Sequence, residues 1–170
     1  MNNFIIFDRD GTLIDLKPYL ANASDLNIQN YTVNGLRLLS EYGYRFGVIS
    51  NQSVIGRGLA TVEQVDLVNN HLMKQFNSYG IFFDFVYFCP HSPLDICGCR
   101  KPKIALGLNA INNHRINVKK SYMIGDMETD IQFGNSLKLT TVKIGINKSD
   151  IANFTAQNIF DAAKWIVARQ

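Results

Sequence analysis

Five short apolar runs alternate along the chain with segments of helical period, and this alternation restricts the fold more than any other feature. Phe4–Phe7, Arg45–Ser50, Phe85–Phe88, Tyr122–Ile124 and Thr141–Ile144 read as strands, and their near-continuous apolarity suits strands buried on both faces. Helical spacing joins Val33, Leu36 and Leu39, with Gly43 where that helix would stop. Val65, Val68, Leu72 and Phe76 mark a second helix, opened by Thr61 and Gln64 in capping-box form. Ile104, Leu108 and Ile111 define a third, Ile131 and Leu137 a fourth, and Ile159, Ala162, Ala163 and Ile166 a closing one. Strands alternating with helices predict an α/β fold, a three-layer, doubly wound parallel sheet. The chain has 170 residues, enough for one domain spanning 1–170 and too few for a large inserted cap.

In such sheets ligands bind beyond the carboxyl ends of the strands. The polar clusters fall there: Asp8-Arg9-Asp10 after the first strand, Ser50-Asn51-Gln52 after the second, a cysteine-rich loop after the third, and Gly125-Asp126 after the fourth. A net charge of +3 suits an anionic substrate, but the cations form no dense cluster, so no nucleic-acid partner is expected. Apolar runs too short to cross a bilayer exclude a membrane span. The opening residues carry neither a basic leader nor a small-residue cleavage site, and the expectation is a cytoplasmic monomer.

All three cysteines lie within one short loop. Cys89-Pro90-His91 followed by Cys97-Gly98-Cys99 supplies three sulfurs and an imidazole, a complete tetrahedral zinc set that leaves no coordination site for water or substrate. Zinc here would be structural. It would hold Arg100 and Lys101, which follow Cys99 directly, at a set distance from Asp8.

Two acids one residue apart after a strand could serve a reaction or merely a surface turn. Asp8-Arg9-Asp10-Gly11-Thr12-Leu13, however, resembles the nucleophile signature of the haloacid dehalogenase superfamily, and Ser50-Asn51, Lys101-Pro102 and Gly125-Asp126 match its other motifs in order. The resemblance implies a magnesium-dependent phosphatase. Asp8 would attack phosphorus and form an aspartyl-phosphate, while Asp10 would serve as general acid and then general base. Ser50, Asn51 and Lys101 would hold the phosphoryl oxygens, and Asp8, the Asp10 carbonyl and Asp126 would bind Mg2+, supported by Asp130.

With the cysteine loop added, the chain is similar to a small uncapped subgroup comprising the heptose 1,7-bisphosphate phosphatases and the histidinol-phosphate phosphatases. Asn51 to Gly58, with Arg57, resembles the heptose branch, and Arg57 with Arg100 would offer two guanidinium forks to a second phosphate. Only five residues separate His91 from Cys97, a spacing closer to the histidinol-phosphate branch. The expectation is a phosphorylated small-molecule substrate, a heptose bisphosphate with histidinol phosphate as the alternative. Residues 12–25, with Lys17, Tyr19 and Asp25, would contact the sugar. A nucleic-acid 3′-phosphatase and a non-catalytic zinc-stapled binding module are more distant readings; the intact acid, serine and lysine positions oppose the second.

Overall fold

The computed structural model describes residues 1–16 and 26–169. Tyr19, Lys17 and Asp25 lie outside them. Six strands form one parallel sheet in the order β3-β2-β1-β4-β5-β6, with β1 at Phe4–Phe7, β2 at Arg45–Asn51, β3 at Phe83–Cys89, β4 at Tyr122–Gly125, β5 at Thr140–Ile144 and β6 at Phe154–Ala156. The helices are α1 (Asn30–Glu41), α2 (Ser53–Gly56), α3 (Val62–Ser78), α4 (Ala105–His114), α5 (Glu128–Ser136) and α6 (Ile159–Val167).

Alternation along β1 explains the three layers. Ile5 and Phe7 face one side with Val33, Leu36 and Leu39 of α1, Val68, Leu72 and Phe76 of α3, and Ile159 to Ile166 of α6. Phe4 and Ile6 face the other, against Ala110 of α4 and Phe133 of α5. All four β1 side chains are fully buried, each contributing about 1.5–3 kcal/mol relative to exposure. This is the doubly covered parallel sheet that the apolar runs predict, and no inserted cap occurs among the described residues.

Thr61 caps α3 as its sequence predicts: Gln64 N donates to Thr61 Oγ1 at 3.2 Å, and Thr61 N donates to Gln64 Oε1 at 2.8 Å. The period assigned to α4 needs correcting. Leu108 is about half exposed, and the buried positions are Gly107 and Ala110. Small residues there let α4 approach α5 closely, since a Cβ at Gly107 would stand 2.8 Å from the Phe133 ring. The three-residue β6 was not predicted, being too short for any alternation to register.

The order of strands reverses at β1. From β1 the chain proceeds through β2 to β3 on one side, then returns to place β4 on the other. The carboxyl ends of β1, β2 and β4 therefore surround one topological switch point, where a crevice forms.

Candidate active site

Asp8 follows β1 directly, and its backbone N–H donates to the Ile124 carbonyl at 2.9 Å, so the β4 edge fixes where the carboxylate emerges. Lys101 reaches it from the cysteine loop. Lys101 Nζ donates to Asp8 Oδ1 at 2.6 Å, to Asp130 Oδ1 at 2.8 Å and to the Ile49 carbonyl at 2.5 Å, so all three ammonium protons are used. The lysine is 2% exposed and Asp8 8%. A charge this deeply buried is tolerable only when paired and hydrogen-bonded, and both conditions are met.

Asp126, after β4, and Asp130, in the first turn of α5, complete the cluster. Ligand oxygens of Asp8, Asp126 and Asp130 all lie within 4.8 Å of one another. Thr12 Oγ1 donates to Asp126 Oδ1 at 3.3 Å. Gly11, at φ +79°, permits the close turn: a Cβ there would stand 2.6 Å from Asp126 Oδ2. Asp130 caps α5 by accepting from Met127 N at 3.0 Å and pairs with Lys101 at 2.8 Å.

Three carboxylates share this space with one ammonium. Burial pushes the Asp8 carboxyl up to about 7, with Lys101 opposing and Asp130 and Asp10 adding to the rise. Burial and then Asp130 raise Asp126 as well. Lys101 lies above its ordinary value: burial opposes this, but Asp8 and Asp130 outweigh it. A cluster short of positive charge and built of hard oxygen donors has the chemistry of a magnesium site.

Asp10 is held differently. Arg9, only 1% exposed, places Nε and Nη2 on its carboxylate at 3.0–3.2 Å. Gln52 Nε2 donates to Asp10 Oδ2 at 2.8 Å and to Ser50 Oγ at 3.2 Å. Neither Arg9 nor Gln52 was singled out from the sequence, and nor was Asn69, whose Oδ1 accepts from Arg9 Nη1 at 2.8 Å. One signal was available: Asn69 lies four residues after Val65 on the otherwise apolar stripe of α3.

A cavity of about 490 Å³ opens over these groups, bounded by Asp8, Asp10, Asp126 and, on the loop side, Arg100, Lys101 and Lys103. Ser50 is buried and is not among the residues that line it. Asn51 also lines the cavity, and its side chain locks the lysine backbone: Nδ2 donates to the Lys101 carbonyl at 3.1 Å and Oδ1 accepts from Lys101 N at 2.9 Å. Arg57 is not brought to the cavity. It is exposed at the end of α2, on a turn tied to the cysteine loop through Gly56 N and the Pro90 carbonyl at 2.8 Å.

Cys89, His91, Cys97 and Cys99 come together as the sequence predicts. Their sulfurs and His91 Nδ1 lie within 4.8 Å of one another, with Cys89 Sγ 3.4 Å and Cys99 Sγ 3.2 Å from Nδ1. All three cysteines are free thiols. The donor set and its convergence fit tetrahedral zinc. Arg100 Nη1 donates to the His91 carbonyl at 3.3 Å, linking the cluster to the cavity wall.

A family model described as HAD-hydrolase-like matches residues 98–162. The chain is 35% identical over 139 residues to the D-glycero-beta-D-manno-heptose-1,7-bisphosphate 7-phosphatase of Helicobacter pylori, covering 81% of this chain and 80% of that protein. It is also 35% identical over 136 residues to a probable D-glycero-D-manno-heptose-1,7-bisphosphate 7-phosphatase of Thermoplasma volcanium, covering 79% and 93%. The histidine biosynthesis bifunctional protein HisB of Buchnera aphidicola is 37% identical over 158 residues, covering 91% of this chain but only 43% of HisB, so the chain spans less than half of that relative. In three dimensions, the D,D-heptose 1,7-bisphosphate phosphatase of B. bronchiseptica, solved with magnesium and phosphate, superposes with a TM-score of 0.88 over 99% of both chains at 17% identity, a likeness of fold. The chain belongs to the haloacid dehalogenase-like phosphatase family, in the group that contains the heptose 1,7-bisphosphate 7-phosphatases.

Proposed function

We propose that this chain removes the 7-phosphate of a D-glycero-D-manno-heptose 1,7-bisphosphate by way of a phosphoryl group carried on Asp8. The observation that carries the chemistry is the Asp8 carboxylate, buried at the sheet's switch point and pinned by Lys101 at 2.6 Å with Asp126 and Asp130 beside it. Asp8, Asp126 and the Asp10 carbonyl are the groups that would hold magnesium, which when bound supplies positive charge between an attacking carboxylate and a phosphate dianion.

Asp8 bonds to phosphorus as the ester P–O bond breaks, and Asp10 delivers a proton to the departing alkoxide. Asp10 then takes a proton from water as that water attacks phosphorus and the Asp8–phosphoryl bond breaks. Lys101, held at Asp8, offsets the negative charge that builds on the transferred group. No proton needs to leave Lys101 in either step.

Arg100 and Lys103, on the cysteine-loop wall of the cavity, supply cations for a second phosphate. This replaces the pair of Arg57 and Arg100 inferred from sequence. The heptose phosphatases also match this chain across most of their own length. Histidinol phosphate is the second reading, favoured by the five-residue spacing from His91 to Cys97 and by the likeness to HisB. A side-by-side measurement of kcat/KM with magnesium on both anomers of the heptose bisphosphate, histidinol phosphate and simple sugar monophosphates decides between them. The heptose bisphosphate should lead; preference for histidinol phosphate would replace this substrate assignment.

A further inference from the structure

We infer that Asn69, on helix α3 and away from the cavity wall, is a positioning residue for proton transfer, acting through a buried relay from Asn69 to Arg9 to Asp10. The inference rests on the reading of Asp10 as the general acid and base of a phosphatase.

Arg9 is the largest fully buried side chain among the described residues. Its guanidinium is divided between two tasks. Nε and Nη2 fork onto the Asp10 carboxylate, while Nη1 donates to Asn69 Oδ1 at 2.8 Å. Nη2 also donates to Gln52 Oε1 at 2.9 Å, and Gln52 returns a bond to Asp10. The carboxylate is thus gripped by donors on one side while its side chain stays 22% exposed toward the cavity.

An aspartate can pass a proton to a leaving oxygen only within hydrogen-bond reach, and its two side-chain torsions allow it to swing out of line. The Arg9 fork removes that freedom, provided that Arg9 itself is fixed. Its long stem cannot fix it alone. Asn69 anchors the far end and ties the position of Asp10 to α3, a helix that otherwise presents Val65, Val68, Leu72 and Phe76 to the core. Asn69 is itself 4% exposed, and its Nδ2 has no partner among the described residues, so the acceptor Oδ1 is the atom in use.

This division of labour makes a prediction that simple packing would not. Loss of a well-placed general acid slows release of a poor leaving group, an alkoxide, far more than release of p-nitrophenolate, which departs without a proton. The test compares kcat/KM for p-nitrophenyl phosphate and for the alkyl esters heptose 1,7-bisphosphate and histidinol phosphate, in the magnesium- and zinc-loaded protein. This ratio reports the step in which the leaving group departs and not the hydrolysis of the aspartyl-phosphate shared by all esters. Asn69→Leu removes the acceptor, Asn69→Asp keeps it, and Arg9→Lys keeps the charge but loses the fork.

Asn69→Leu and Arg9→Lys should lower kcat/KM for the alkyl esters by about tenfold more than for the aryl ester, a modest share of the 10²–10⁴ available to general acid catalysis. Asn69→Asp should restore the parental ratio. Equal losses on both ester types, no loss, or an Asn69→Asp ratio like that of Asn69→Leu would overturn the relay. If the parent protein hydrolyses none of the three esters, the phosphatase reading fails first and the relay with it. Should Asn69→Leu not fold, Asn69→Asp and Arg9→Lys still carry the comparison.

Discussion

Replacing Asp8 by asparagine should make the metal-free protein more stable at neutral and alkaline pH, although it removes the nucleophile. The Asp8 carboxyl is raised from 3.8 to about 7, chiefly by burial, with Lys101 only partly offsetting that cost. A raised folded value means that the folded state holds its proton more tightly than the unfolded chain does. Stability from this group is therefore complete below about pH 4 and is lost progressively as pH rises toward 7. About three pH units at ~1.4 kcal/mol each amount to roughly 4 kcal/mol by pH 8. Asparagine has nearly the same shape and never ionises, so Asp8→Asn should recover most of it. In urea with a chelator present, its midpoint at pH 8 should exceed the parent's by about 1–2 M, and the two should converge near pH 4. Adding magnesium should narrow the gap at pH 8 by binding the folded parent more tightly than the variant. A variant no more stable than the parent at pH 8, or equally more stable at pH 4 and 8, would refute the claim that Asp8 is held in a charge-deficient cluster.

Lys101→Met should have the opposite sign, because it leaves Asp8 and Asp130 buried without their shared cation; a loss of about 3–5 kcal/mol in chemical denaturation is expected at pH 8. Native mass spectrometry should find one zinc per chain, and Cys97→Ser should release it and lower phosphatase activity, since Arg100 and Lys101 follow Cys99 directly. A disulfide, or iron in place of zinc, would contradict that assignment.

The sheet could be read from the sequence because buried parallel strands are continuous apolar runs, and β1 is fully buried along its whole length. The zinc loop was legible for a similar reason: its ligands are close in sequence, so spacing alone predicted the convergence of Cys89 with Cys99. Arg9, Gln52 and Asn69 were not legible as a unit, since Asn69 is 60 residues from Arg9 and only packing of α3 on the sheet joins them. Arg57 is a different case. Its neighbours resemble a substrate-binding stretch, but the short helix α2 ends one residue before it and leaves it exposed. Leu108 shows the limit of period counting, because Gly107 and Ala110 have too little side chain to register as a buried face.

Passage of the phosphoryl group through Asp8 is tested most directly by trapping it there. Magnesium-loaded protein can be mixed with heptose 1,7-bisphosphate labelled with ³²P at the 7-phosphate, quenched in acid within one turnover, and digested. Label should appear on the peptide containing Asp8 and be absent from that peptide in Asp8→Asn, which should also lose turnover. Turnover without covalent label, or label retained in Asp8→Asn, would contradict passage through Asp8.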